Sequence, residues 1–185
     1  PMSEISTKGF EAVVRNNLIG TFIFSREVYT RWMNEHGGSI VNIIADIWFG
    51  WPMSAHSGAA RGGVLTLTET AACEWASSGV RVNAVAPGVI ATTGIDTYPP
   101  DVQDEVATFQ TGIPLQRFGT EAELAAAVTF LLSPAAAYIT GEFLRVDGGA
   151  PNARQGWALR PLERPPVSFK GFHRSELPRI LAGKN

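Results

Sequence analysis

The sequence predicts an α/β fold in which a parallel sheet carries helices on both faces. Three observations lead there. Segments with apolar residues at helical spacing alternate with short apolar runs, in the order helix, strand, helix, strand, helix, strand. The first strand-like run is short, rich in β-branched residues and nearly continuously apolar, as in a strand covered on both faces. Cap and turn residues punctuate the boundaries between them.

Each element has a local reason. Ser6 and Thr7 are cap-type residues ahead of Phe10, Val13, Val14 and Leu18, whose spacing is helical. A second helical stretch carries Phe22, Ile23, Tyr29, Trp32 and Met33 and stops at His36 and Gly37-Gly38. Residues 39–44 (SIVNII) read as a buried parallel strand, followed by an aromatic-rich loop over 45–52. Residues 54–78 form a helix with Val64, Leu67, Ala71 and Trp75 on one stripe, closed by Gly79. Residues 80–86 (VRVNAVA) are a second strand, stopped by Pro87-Gly88. The segment 92–116, with Pro99, Pro100 and Pro114, is expected to be irregular. Thr120-Glu121-Ala122-Glu123 is a capping box that opens a helix to Leu132, ended by Ser133-Pro134. Residues 143–146 are a last strand before Asp147-Gly148-Gly149.

The 185 residues are 45% hydrophobic and 17% charged, a composition that excludes intrinsic disorder over most of the length. No run of 18 apolar residues spans a membrane, and the first nine residues do not have the layout of a signal peptide. A single thiol, Cys73, makes neither an internal disulfide nor a metal site, and a cytoplasmic location fits. The net charge of −2 conceals an asymmetry: residues 151–185 carry seven Lys/Arg against two acids, and the rest is acidic. Such a basic tail, with five prolines and expected as extended coil, either meets an anionic ligand such as a nucleotide or coenzyme A phosphate, or lies on the acidic body. Residues 1–150 are thus read as one α/β domain and 151–185 as a tail.

Five stretches together resemble the classical short-chain dehydrogenases: Asn17 to Phe22 (N-x-x-G), Gly38 to Ile43, Ala59 to Ala76, Arg81 to Gly88, and Ile139 to Gly149. The stretches EHGGSIVNII and HSGAARGGV, with the long tail after DGG, resemble the peroxisomal-type trans-2-enoyl-CoA reductases and their bacterial relatives. The resemblance covers residues 4–150. It implies the C-terminal part of a Rossmann-like doubly wound parallel sheet. The family's opening T-G-x-x-x-G-x-G turn, which lets backbone approach a pyrophosphate, and its N-N-A-G strand end are missing. Three strands with this much apolar helix also leave an open edge. The expectation is that about 100 residues of a family domain of about 250–300 are absent, and that the 185-residue chain alone shows no turnover.

The resemblance also implies a catalytic Asn, Ser, Tyr and Lys. Asn17 matches the Asn, the Lys position is Arg61, and the Tyr position is Ser57 beside His56. The Ser position falls at Ile44 or Ala45, which have no hydroxyl. Arginine keeps charge and hydrogen bonds but carries no proton. Ser57, His56 and Arg61 suit a thioester enolate, which needs oriented donors and a nearby cation, and Asp46 is an additional candidate acid. Arg61, Pro87, Gly88, Val89 and Thr92 are the implied cofactor contacts, to NADP with NAD as the alternative. His36 reads as a helix-end cation and His173 as a tail residue. Trp48, Phe49 and Trp51 line an acyl or terpenoid pocket, or else belong to the core or a subunit contact.

The resulting expectation is NADPH-dependent reduction of a 2-enoyl-CoA thioester by the intact protein. Its partners are then an acyl-CoA or other small hydrophobic substrate and further copies of itself, as dimer or tetramer, with no nucleic acid and no membrane. The alternatives are an NAD(P)-dependent alcohol/carbonyl dehydrogenase, for instance of a terpenoid alcohol, and an inactive oligomerisation partner that pairs through helices 18–36 and 57–78.

Overall fold

A computed structural model describes residues 1–153, 158–169 and 178–181. The tail residues Arg154, Lys170, His173, Arg174, Glu176 and Lys184 lie outside the described residues. The chain forms two compact units: Pro1–Ala86 with Val128–Leu144, and Pro87–Ala127 with Arg145–Asn185.

In the first unit the two expected N-terminal helices are one continuous rod. Helix α1 (Thr7–Val14), a π turn (Arg15–Ile19), α2 (Gly20–Val28), a second π turn (Tyr29–Met33) and α3 (Asn34–His36) follow without a break. Every junction residue has right-handed helical backbone angles, so nothing interrupts the rod. Ser6 caps its start by accepting from the Gly9 amide at 3.1 Å. It ends where Gly37 takes a positive φ of 69°, at which a side chain would meet the Gly79 carbonyl. His36 stacks on Trp32 and donates from Nδ1 to the Trp32 carbonyl at 2.9 Å, in keeping with a helix-end role.

Strand β1 (Gly38–Ile43) pairs in parallel with β2 (Val80–Pro87), from Gly38 opposite Val80 to Ile43 opposite Val85. Strand β3 (Phe143–Val146) lies on the other side of β2. The bonds Gly141 N to Val82 O, Ala84 N to Glu142 O and Gly88 N to Val146 O ascend together along both strands, as parallel pairing requires. The central strand is buried as expected, with Val80, Val82, Ala84 and Val85 at 1% exposure or less. The expectation of a buried first strand needs correction: among the described residues β1 pairs on one side only, and Ile43 is exposed while Asn42 and Ile44 are buried.

Helix α4 (Ala55–Trp75) carries the crossover from β1 to β2. Its core-facing line is Ala60, Val64, Thr68 and Ala72, four residues apart; Leu67, Ala71 and Trp75, expected on the buried stripe, are only half-buried. Thr68 is buried at no polar cost, because its hydroxyl donates to Val64 O and accepts from Asn42 Nδ2 at 2.9 Å. Buried Asn83 staples β2 to the segment before β3, donating to Ile139 O at 2.9 Å and accepting from Glu142 N at 3.1 Å. Arg81 closes the C-terminal end of helix α6 (Glu121–Leu132), donating to Leu131 O and Ser133 O.

In the second unit, the capping box forms in full. Thr120 N donates to Glu123 Oε2 at 2.9 Å and Glu123 N donates to Thr120 Oγ1 at 3.2 Å. Segment 92–116, expected as irregular, contains helix α5 (Pro100–Thr108) between 3₁₀ turns. The prolines misled: Pro100 occupies the first turn, where its missing N–H costs nothing. Ala91, Ile113 and Phe118 form the core here, joined by Val89, Val106, Ala150 and Leu181.

Candidate active site

The five expected catalytic positions all fall in the first unit, on the rod, the loop after β1 and the start of α4. Asn17 sits inside the first π turn, half-buried, and donates from Nδ2 to Val13 O at 3.1 Å. Such wide turns recur at functional positions because they re-aim a side chain within a helix. The turn docks on α4 through Leu18. A Cβ on Gly63 would stand 2.8 Å from Leu18 Cδ2, so the glycine admits the close crossing.

Ser57 and Arg61 lie one turn apart on the same face of α4, both half-buried. Arg61 Nη1 donates to the carbonyl of Ile43, tying the helix to the end of β1. Burial pushes its guanidinium below its ordinary value without removing the charge. The sequence offered no sign of this acceptor, because a backbone carbonyl has no residue signature.

Ser54, at the start of α4, makes no side-chain cap bond. One of the unpaired amides there, Ser57 N–H, is instead satisfied by His56 Nδ1 at 2.8 Å. With Nδ1 accepting, the neutral ring carries its proton on Nε2. Asp46 is half-buried in the loop that leads from β1 to α4. In that loop Trp48 joins the core, stacking on Phe143 with ring centroids 4.9 Å apart, and Phe49 is exposed with a φ of 71°.

The expected cofactor contacts other than Arg61 lie in the second unit. Pro87 ends the strand, and Gly88 donates to Val146 O at 3.0 Å. The close approach that Gly88 permits is that of Asp147, whose Cα would be 2.9 Å from an added Cβ. Gly119 N donates to Val89 O at 3.0 Å and Ala91 N to Gly119 O at 2.9 Å, which fixes the turn. Thr92 is half-buried at the start of the following 3₁₀ turn. For a nicotinamide cofactor, Arg61 fits one end: Nη1 is spent on Ile43, and the rest of the fork offers charged donors. Among the described residues no His/Cys/Asp/Glu cluster suits a metal ion.

A parallel sheet with this strand order and a helical crossover is the C-terminal part of a Rossmann-like α/β fold. The enoyl-(acyl carrier protein) reductase family model matches residues 1–151, and the chain belongs to this family of short-chain dehydrogenases/reductases. A peroxisomal 2,4-dienoyl-CoA reductase of Danio rerio is 41% identical over 152 residues, 81% of this chain and 50% of the relative. The chain therefore spans about half the length of that curated relative. A citronellol catabolism dehydrogenase (AtuB) of Pseudomonas aeruginosa PAO1 is 51% identical, with a TM-score of 0.70 over 81% of this chain and 57% of its own. A gluconate 5-dehydrogenase of Burkholderia cenocepacia J2315, solved with NADP and tartrate, has a TM-score of 0.75 at 28% identity, covering 83% of this chain and 60% of its own. No helix among the described residues is long and apolar enough to cross a membrane.

Proposed function

We propose that this chain supplies the nicotinamide- and substrate-facing part of an NADPH-dependent reductase of 2-enoyl-CoA thioesters. The observation that carries this reading is the Ser57/Arg61 pair on one face of α4, at the positions where the family resemblance implies a Tyr and a Lys. Without a phenol the site is poorly suited to pass a proton to or from an alcohol oxygen. It keeps what an enolate needs: the Ser57 hydroxyl, the His56 Nε2–H and a guanidinium, at the positive end of a long helix. When bound, the cofactor supplies a hydride to the β-carbon of the conjugated C=C. Arg61, the Pro87-Gly88-Val89 turn and Thr92 would hold its nicotinamide end, Asp46 would deliver the proton to the α-carbon, and Asn17 would hold a water. The chemistry printed for the zebrafish relative, reduction of a dienoyl-CoA, supports a thioester substrate.

The same reading includes a cytoplasmic location and assembly of copies through the rod and α4. Phe24 and Trp32 stand 71% and 60% exposed on the rod, and a cleft of about 250 Å³ is lined by Phe22 of the rod and by Leu67, Ala71 and Trp75 of α4.

A second reading, an NAD(P)-dependent dehydrogenase of a terpenoid alcohol, is favoured by the 51% identity to the citronellol catabolism dehydrogenase. The full-length protein should oxidise NADPH with crotonyl-CoA. Turnover only with NAD and an alcohol such as citronellol would replace the first reading by the second. Failure to bind either cofactor would leave a non-catalytic oligomerisation partner.

A further inference from the structure

Residues 178–181 of the basic tail form a hook within their own unit. Pro178 is fully buried, and residues Arg179–Leu181 make one 3₁₀ turn closed by Leu181 N donating to Pro178 O at 2.9 Å. Leu181 packs into the cluster of Ala91, Ile113 and Phe118, beside Val106 of α5. The Arg179 amide donates to Asp96 Oδ1 at 2.9 Å. Asp96 lies in the 3₁₀ turn Thr93–Thr97, which Gln103 ties to α5 by donating from Nε2 to Tyr98 O at 2.7 Å and Asp96 O at 3.4 Å. Upstream, the tail is pinned at Phe169, which accepts from Thr120 Oγ1 at 2.7 Å and donates to Glu123 Oε1 at 3.2 Å.

We propose that residues 178–181 are a latch on segment 93–108: docked, they hold the 3₁₀ turn and α5 against the apolar cluster, and undocked, they let that segment open. The holding force is identifiable. The Arg179 guanidinium is 89% exposed and its Nε stands 3.9 Å from Asp96 Oδ2, a geometry that contributes little in water. Burial of Pro178 and Leu181, with a charge-assisted bond from a backbone amide, does the holding. The tail's basic charge is thus incidental at this contact. A segment whose packing depends on a few late-arriving contacts is one that opens locally, ahead of the fold as a whole. Thr92, which the proposed function assigns to the cofactor, directly precedes this segment; the latch itself does not depend on that assignment.

Hydrogen–deuterium exchange of the 185-residue chain tests the latch. Deleting residues 178–185, or the point change Leu181→Asp, should speed amide exchange across 93–108 by tenfold or more. Exchange in 39–44 and 80–86 should stay at the wild-type rate. Arg179→Ala, which leaves the amide in place, should change exchange less than twofold. Unchanged exchange in 93–108 on deletion, or an equal rise across all segments, would overturn the latch. In the full-length protein the deletion should change KM for crotonyl-CoA by more than kcat. A wild-type protein that shows no reductase activity would remove the thioester reading and leave the exchange result standing.

Discussion

Arg61 and the carbonyl of Ile43 join helix α4 to the last residue of β1. The bond braces the end of the strand, and under the proposed function Arg61 also presents its charge to the cofactor. Arg61→Ala should therefore lower both stability, by about 1 kcal/mol, and cofactor affinity in the full-length protein. Arg61→Lys should keep part of the affinity but lose most of the brace, since one ammonium replaces a fork. Thermal unfolding and cofactor titration read the two effects separately. Unchanged affinity in Arg61→Ala would mean that α4 is not the cofactor helix.

Glu123 makes a pH-dependent contribution. Burial works to raise its carboxyl pKa. The bidentate pair with Arg117, at 2.7 and 2.9 Å, and the amides of Thr120 and Phe169 outweigh it and lower the value to about 2 from an ordinary 4.5. A carboxyl depressed in the folded state contributes stability above its unfolded pKa, lost as pH falls toward the folded one. The contribution at pH 7 is about 2 kcal/mol once partial exposure is discounted. Glu123→Gln should be less stable than wild type by that amount at pH 7. The gap should shrink between pH 5 and pH 2, as read by urea denaturation. A gap constant over that range would assign the loss to packing and not to charge.

Much of the fold was legible because it rests on local chemistry. The capping box at Thr120 and Glu123 formed atom for atom, and β2 lies where the run VRVNAVA stops at Pro87. What misled was chemistry with two readings. Pro100 reads as a breaker or as a helix start, and only the packing of Val106 and Leu181 decides between them. The rod through Asn17 read as two helices, because a π turn shifts the apolar phase without any breaking residue. The candidate site was legible only as far as residue types at motif spacing go. The acceptors of Arg61 and of the Ser57 amide are a backbone carbonyl and a neighbouring ring, which spacing does not specify.

Asn83 tests a buried polar staple. Both ends of its amide are used, on Ile139 O and Glu142 N, and the residue is fully buried. Asn83→Leu leaves one carbonyl and one amide unpaired inside and should cost about 2–4 kcal/mol. Asn83→Asp should cost at least as much, because a carboxylate would then face the Ile139 carbonyl. Denaturation at pH 7 checks both. A loss below 1 kcal/mol in Asn83→Leu would mean that water or a shifted backbone takes over the staple.

Two glycines with equally tight surroundings should respond differently, because what they touch differs. A Cβ on Gly63 meets the far end of Leu18, at 2.8 Å. A methyl there is accommodated by a rotamer change, and the gain in helix propensity, about 1 kcal/mol, offsets the crowding. A Cβ on Gly88 meets the Asp147 backbone at 2.9 Å, next to the β2–β3 bond from Gly88 N to Val146 O. Backbone held next to that bond does not give way as a side-chain end does. Gly63→Ala should therefore fall within about 1 kcal/mol of wild type, and Gly88→Ala should lose about 2–3 kcal/mol. Leu18→Ala combined with Gly63→Val should recover part of the loss of Gly63→Val alone, a coupling that a double-mutant cycle measures. Equal losses in the two single alanine variants would show that Leu18 is as fixed as the strand, and that the rod meets α4 without slack at the turn carrying Asn17.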